Sequence, residues 1–220
     1  MLTAVIFDLD GVVTNSSVYH FRAWKKIADR LGLQFDEQYN EKLKGVSRME
    51  SLNLILDLGK GRDAYSEAEK AALADEKNEI YKVLIREITP RDLLPGIGEI
   101  LETLRAENIA VALASVSKNA PFIIERLQVG PYFDYIADAA AVTQSKPAPD
   151  IFLDCLHHLG VRSEDAVGVE DARVGIEAIH RAGMKAVGVG TASEMQEADL
   201  ILPGTAALRL DAMKRLTLSA

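Results

Sequence analysis

The sequence predicts an α/β protein, a doubly wound parallel sheet interrupted by an inserted all-α segment, and three observations carry that expectation. Val5-Ile6-Phe7 is an unbroken apolar run with the composition of a strand buried on both faces. From about residue 90 onward, short apolar runs alternate with helical patterns, which implies a parallel sheet covered on both sides. Between about 33 and 88 no buried strand is legible, and apolar residues recur at helical spacing. The opening strand has no partner nearby and must join the later sheet. The expected division is therefore a core domain of 1–15 and 88–220 with an inserted helical domain of 16–87.

The first strand runs into Asp8 and Asp10, and Gly11 lets the backbone turn sharply. Side chains two apart on extended chain point the same way, so both carboxylates are expected at the carboxyl end of one strand. In open α/β sheets that edge binds ligands. Like charges there repel unless a proton or metal ion relieves them, and aspartates that merely cap a turn are the alternative. Phe21, Trp24, Ile27, Ala28 and Leu31 predict a helix ended by Gly32. Leu52, Ile55 and Leu56 share one helical face. Leu73, Ile80, Tyr81, Leu84 and Ile85 predict a longer helix, entered at Ser66 with Glu69 completing a capping box.

Thr89-Pro90-Arg91 and Pro95-Gly96 punctuate the return to the sheet. Helix is expected over 97–107, strand over 110–114, helix after Asn119 and a short strand near Tyr135-Ile136-Ala137. Pro149 suits the first turn of a helix that ends at Gly160. Strands over 166–169 and 186–189 flank a helix over 173–182, and Leu200-Ile201-Leu202 precedes a C-terminal helix. Crossovers between parallel strands should be right-handed.

A net charge of −8 over 220 residues argues against a general nucleic-acid or anionic-membrane binder. No stretch approaches the ~20 apolar residues of a membrane span, and the opening apolar run is too short and acidic for a signal peptide. The single cysteine, Cys155, excludes an internal disulfide, suits a reducing cytosol and lies beside Leu153 and Leu156 as a core residue. The expectation is a cytoplasmic monomer whose partner is a small molecule.

Three more strands end in reactive chemistry. Strand 110–114 runs into Ser115, and Ser117, Lys118 and Asn119 open the next helix, where a hydroxyl and backbone N–H groups suit an anion. Ser117 or Asn119 as a simple N-cap is the competing reading. Lys146 sits in Ser145-Lys146-Pro147-Ala148-Pro149-Asp150, whose prolines favour a positioned cation over a solvated surface lysine. Val167-Gly168-Val169 ends in Glu170-Asp171, where Asp171 is either a ligand or a helix N-cap. Acids at the first and last strand ends suit a hard divalent ion, magnesium above all. The serine and lysine suit a phosphoryl group.

Asp8-x-Asp10-Gly-Val-Val-Thr14, Ser115, Lys146 and Glu170-Asp171 resemble, in order and spacing, the four motifs of the haloacid dehalogenase superfamily, across the whole chain. The inserted block is similar to the helical cap of some branches. His20-Phe-Arg-Ala-Trp24, Lys44-Gly-Val-Ser-Arg48 and Leu113-Ala-Ser-Val-Ser117-Lys-Asn119 resemble its β-phosphoglucomutase family. That resemblance implies an isomerase interconverting β-D-glucose 1-phosphate and D-glucose 6-phosphate through an aspartyl phosphate on Asp8. β-Glucose 1,6-bisphosphate is the implied intermediate. Asp10 is then the general acid and base, and Ser115 and Lys146 complete the catalytic set. Mg²⁺ is implied on Asp8, the Asp10 main-chain carbonyl and Asp171, with Glu170 nearby.

By the same resemblance Arg48, Ser117, Lys118 and Asn119 grip a second phosphate, and Ser16, His20, Trp24, Lys44, Gly45, Val46, Ser51 and Lys77 line the sugar side. Ser16 stands where the family has threonine, and the Gly59–Asp63 loop departs from the family length. Trp24 shares a face with Phe21 and Ile27, so core packing competes with substrate contact. Lys77 lies on a charged helix, where a solvated role competes. A cap that excludes water separates a mutase from its nearest rival, a sugar-phosphate phosphatase on the same scaffold. A phospho-accepting signalling switch is the rival from another class, and the inserted block argues against it.

Overall fold

The computed structural model describes residues 1–140 and 142–218. Its chain forms two compact units, one of Met1–Asn15 with the chain from Ile88 onward, the other of Ser16–Glu87.

The first unit is α/β. Its strands are β1 (Ala4–Phe7), β2 (Ala110–Leu113), β3 (Tyr135–Ile136), β4 (Ala166–Glu170), β5 (Lys185–Val189) and β6 (Leu200–Leu202). They form one sheet in the order β3-β2-β1-β4-β5-β6, with every neighbouring pair parallel. The order reverses direction at β1, the switch point where such sheets bind ligands. β1 is buried on both faces, as its unbroken apolar run requires. Ala4 and Ile6 pack with Ile151, Phe152, Cys155, Ile176 and Ile179, and Val5 and Phe7, pointing the opposite way, are equally inaccessible. β4 extends one residue beyond the expected strand because Glu170 still pairs, with Gly188.

The second unit contains α1 (Ser17–Arg30), α2 (Glu37–Asn40), α3 (Arg48–Leu56) and α4 (Glu67–Leu84). Trp24, Ile27, Leu52, Ile55, Leu56 and Leu73 form its core. Ser66 caps α4 as its sequence indicates: Glu69 N–H donates to Ser66 Oγ at 3.3 Å and Ser66 N–H to the Glu69 carboxylate at 2.8 Å.

The α/β unit also carries α5 (Ile97–Ala106), α6 (Ala120–Arg126), α7 (Asp150–Leu159), α8 (Arg173–Arg181) and α9 (Leu210–Leu216). Gly160 ends α7 in the left-handed conformation, at φ 66°. Cys155 is a core residue: its thiol donates to Leu113 O at 3.7 Å, and burial pushes its pKa up to about 12.

Candidate active site

The sheet register brings the chemistry to one edge. Phe7 pairs with Leu113 on one side and Val169 on the other, so Asp8, Ala114 and Glu170 stand at the same level just beyond them. Asp8 N–H continues the ladder to Val169 O at 2.9 Å.

Lys146 enters this edge from the loop before α7, on the residue side of a cis Lys146–Pro147 peptide. Its side chain is fully buried, which excludes the solvated reading. Its ammonium donates to Asp8 Oδ1 at 2.5 Å, Glu170 Oε1 at 2.6 Å and Ala114 O at 3.1 Å. An ammonium has three hydrogens, and each has an oxygen here. Burial works against its charge, but the two carboxylates outweigh that and raise its pKa above the ordinary value. For Asp8 burial is the largest influence and pushes the carboxyl up. Lys146 opposes this, while Glu170 and Asp10 add to it.

The second oxygen of Glu170 accepts from Asp171 N–H at 2.8 Å and Ala172 N–H at 2.9 Å. Glu170 thus satisfies the start of α8, whose N-cap position is Ala172. The competing reading of Asp171 as the N-cap fails, because Asp171 lies one residue before that position. Its carboxylate instead lies against the Asp10 turn, where a Cβ on Gly11 would come within 2.1 Å of Asp171 Oδ2. Gly11 also has φ +78°, so two independent constraints select glycine there.

Among the described residues, Asp8, Glu170 and Asp171 form a group whose carboxylate oxygens lie within 4.8 Å of one another. The carboxylate of Asp10 is outside that group. The strand ends at Phe7, and the N–H groups of Val12, Val13 and Thr14 all turn back to Leu9 O. The Asp10 charge still acts on Asp8 and helps to raise its pKa.

Ser115 is buried, and its Oγ accepts from Ser117 N–H at 3.2 Å; Ser117 Oγ accepts in turn from Asn119 N–H at 3.3 Å. Two backbone donors expected to face an anion are therefore held by hydroxyls. Asn119 occupies the N-cap of α6 without a side-chain capping bond, and Lys118 is exposed.

In the helical unit, His20, Trp24, Lys77 and Tyr81 form a second cluster. Lys77 is 2% exposed and lies 4.8 Å from the centre of the Trp24 ring and 4.6 Å from that of Tyr81. Its ammonium is 2.8 Å from His20 Nδ1, and the His20 and Tyr81 rings are 4.1 Å apart. An ammonium has no lone pair to offer, so Nδ1 accepts and the neutral imidazole carries its hydrogen on Nε2. Burial first, then the charges of Lys77 and Arg48, holds His20 well below its usual pKa. Arg48, at the start of α3, donates to Asn78 Oδ1 at 2.9 Å.

A sequence profile described as haloacid dehalogenase-like hydrolase matches residues 2–183. The chain belongs to that family. Within it, the chain is 49% identical over 210 residues to a β-phosphoglucomutase of Bacillus subtilis, covering 96% of this chain and 93% of that one. A crystal structure of β-phosphoglucomutase from Clostridium difficile superposes with a TM-score of 0.97 at 42% identity, covering 100% of this chain and 98% of that chain. A fructose-1-phosphate phosphatase of Escherichia coli is 33% identical, covering 84% of this chain and 95% of that one.

In this haloacid dehalogenase-like chain the remaining sequence-selected residues fall in ordinary places. Ser16 and Ser51 are buried. Lys44, Gly45 and Val46 are half-buried in the loop before α3, with Lys44 paired to Glu41 at 2.7 Å. Trp24 belongs to the helical core, so the packing reading holds for its position. Sequence reasoning missed Asn78 and the ring of Tyr81 as neighbours of Arg48 and Lys77. Tyr81 had a signal, its helical spacing from Lys77, but Asn78 had none. No described helix is long and apolar enough to cross a membrane.

Proposed function

We propose that this protein is a mutase of the β-phosphoglucomutase kind, interconverting β-D-glucose 1-phosphate and D-glucose 6-phosphate. The observation that carries the reading is the 49% identity, over 96% of the chain, to a β-phosphoglucomutase. The protein is read as a cytoplasmic monomer acting on a small sugar phosphate.

In this reading Asp8 attacks a phosphorus of β-glucose 1,6-bisphosphate. A P–O bond forms at Asp8, the P–O bond to the sugar breaks, and Asp10 gives its proton to the departing sugar oxygen. In the second half-reaction the 6-hydroxyl of β-glucose 1-phosphate loses its proton to Asp10 and takes the phosphoryl group from Asp8. The bisphosphate is regenerated, so a trace of it primes turnover.

Attack by a carboxylate on an anionic phosphate meets repulsion of about 4 kcal/mol per charge pair at 4 Å in an intermediate dielectric. Lys146 offsets part of it and, held by Glu170 and Ala114 O, fixes the Asp8 oxygen it touches. The clustered carboxylates of Asp8, Glu170 and Asp171 fit a hard divalent cation, and the Asp10 main-chain carbonyl is assigned to it by resemblance. Bound there, Mg²⁺ would supply further charge neutralisation for the transferring group. Ser115 is assigned to the transferring phosphoryl group.

The helical unit is assigned the role of a cap that determines the acceptor. His20 presents an Nε2–H donor suited to a sugar oxygen, and the planar fork of Arg48 suits the phosphate that is not reacting. Lys44, Gly45, Val46, Ser51, Ser16 and Lys77 are assigned to the sugar side, and Ser117, Lys118 and Asn119 to the distal phosphate.

The test is turnover of β-glucose 1-phosphate with Mg²⁺ and a trace of the bisphosphate, following glucose 6-phosphate and free phosphate together. Glucose 6-phosphate forming much faster than phosphate is the expected result. Phosphate with little isomer would instead make the protein a phosphatase.

A further inference from the structure

Gly175 is the third residue of α8, and its own backbone makes no demand for glycine. It lies in regular helix, with its N–H bonded to Ala172 O at 3.0 Å. Glycine in a helix is less stable than alanine, so the residue needs another reason. A Cβ at this position would lie 1.9 Å from Glu170 Oε1, 2.0 Å from its Cδ and 2.6 Å from its Cγ. The missing side chain is the space in which the Glu170 carboxylate sits. That carboxylate is 1% exposed, with Oε1 on Lys146 and Oε2 on two N–H groups of the α8 entry.

We propose that Gly175 is a positioning residue for phosphoryl transfer, the gap above it being the seat that aims Glu170 at Lys146. The inference rests on the reading that Lys146 works at Asp8. Gly175 touches no reacting atom and acts through Glu170, then Lys146. The three atoms nearest a methyl at 175 all belong to the Glu170 side chain. The fold therefore survives the substitution by swinging Glu170 aside. Lys146 then keeps Asp8 and Ala114 O but loses its second carboxylate.

The test is Gly175→Ala beside Gly98→Ala in α5, where a Cβ would meet nothing nearer than Leu93 Cδ2 at 3.6 Å. Gly98→Ala is expected to keep wild-type turnover with an equal or higher Tm. Gly175→Ala is expected to unfold cooperatively but to lose about a hundredfold in kcat, with KM within about threefold, the scale of a catalytic group moved by an ångström. Glu170→Ala removes the three Glu170 atoms that the methyl would meet. Glu170→Ala by itself slows the enzyme, and adding Gly175→Ala to it should cost little more, because the methyl no longer has a carboxylate to displace. A methyl that harmed only α8 would not be relieved this way.

A crystal structure of Gly175→Ala should show Glu170 displaced from Lys146. Glu170 unmoved, kcat near wild type, or a double variant no better than the product of the singles would overturn the proposal. Turnover is read on whichever reaction the wild type performs, isomerisation or phosphate release. A wild type inert in both would overturn the functional reading instead, and the crystal structure would still decide the seat.

Discussion

Lys146 and Lys77 are both buried, one in each unit, and their described contacts differ in kind. Lys146 gives its hydrogens to two carboxylates and a carbonyl, so its charge is balanced within the protein. Lys77 lies between two aromatic faces and donates to a neutral imidazole. Burial first, then Lys77 and Arg48, hold His20 below its usual pKa, and Asp75 and Glu79 face Arg48 in turn. The difference teaches a division of labour. Ion pairs fix geometry for chemistry on any phosphate ester, whereas a cation beside aromatic rings and a neutral imidazole suits recognition of a polar ligand. The first arrangement suits the phosphorus chemistry assigned to the α/β unit, the second the choice of acceptor assigned to the helical unit.

The contrast breaks or sharpens most visibly on the lysines themselves. Lys146→Met leaves Asp8 and Glu170 buried together without a counter-charge. It is expected to cost about 3–5 kcal/mol of stability by urea unfolding and to lower kcat by about a thousandfold or more, the scale of a lost cation in phosphoryl transfer. Lys77→Met keeps the apolar stem and forfeits the contacts of the ammonium with the Trp24 and Tyr81 rings and with His20. Its stability is expected to change by less than about 2 kcal/mol, with the loss appearing in KM for the sugar phosphate, by about tenfold. Equal stability losses for the two variants would erase the distinction.

Trp24→Ala separates packing from recognition in the helical cluster. Removing a fully packed indole should cost about 3–5 kcal/mol in urea unfolding, which identifies it as core. Trp24→Phe should recover most of that stability. If Trp24→Phe instead loses sugar-phosphate affinity at near wild-type stability, Trp24 belongs with Lys77 as a recognition residue.

The smallest effect is expected at a third charged cluster, on the opposite edge of the sheet. Asp199 accepts from Ala186 N–H and Lys185 Nζ, each at 2.8 Å, and lies 2.9 Å from His180 Nε2. Burial alone would raise its pKa, but these hydrogen bonds lower it to about 2. The folded value is below the unfolded one, near 4, so its stabilisation is full above about pH 4 and is lost as pH falls towards 2. Asp199→Asn should cost on the order of 1 kcal/mol at pH 7, little near pH 2, and leave turnover unchanged.

Much of this was legible in the chain. Apolar runs ended by Asp8, Ser115 and Glu170 announce strands and their reactive ends, and the Ser66–Glu69 spacing announces a capped helix. Other features lie outside what spacing can carry. The bond from Lys146 to Glu170 joins a loop residue to the end of β4, a pairing that no local spacing announces. The turn at Gly11 is legible, but the approach of Asp171 to it is not. Lys77 sits in Glu76-Lys77-Asn78-Glu79, which reads like any solvated helix face until burial is seen. Gly175 looks like a flaw in helix propensity, because the atom that needs its space belongs to another element.

The division of labour is tested most directly by Arg48→Ala, assayed for isomerisation of β-glucose 1-phosphate and for hydrolysis of a small ester such as p-nitrophenyl phosphate. The expected result is an isomerisation rate lower by about a hundredfold or more, the worth of a charge-assisted bidentate contact, with ester hydrolysis unchanged. Equal loss of both activities would contradict the account and remove Arg48 from acceptor choice.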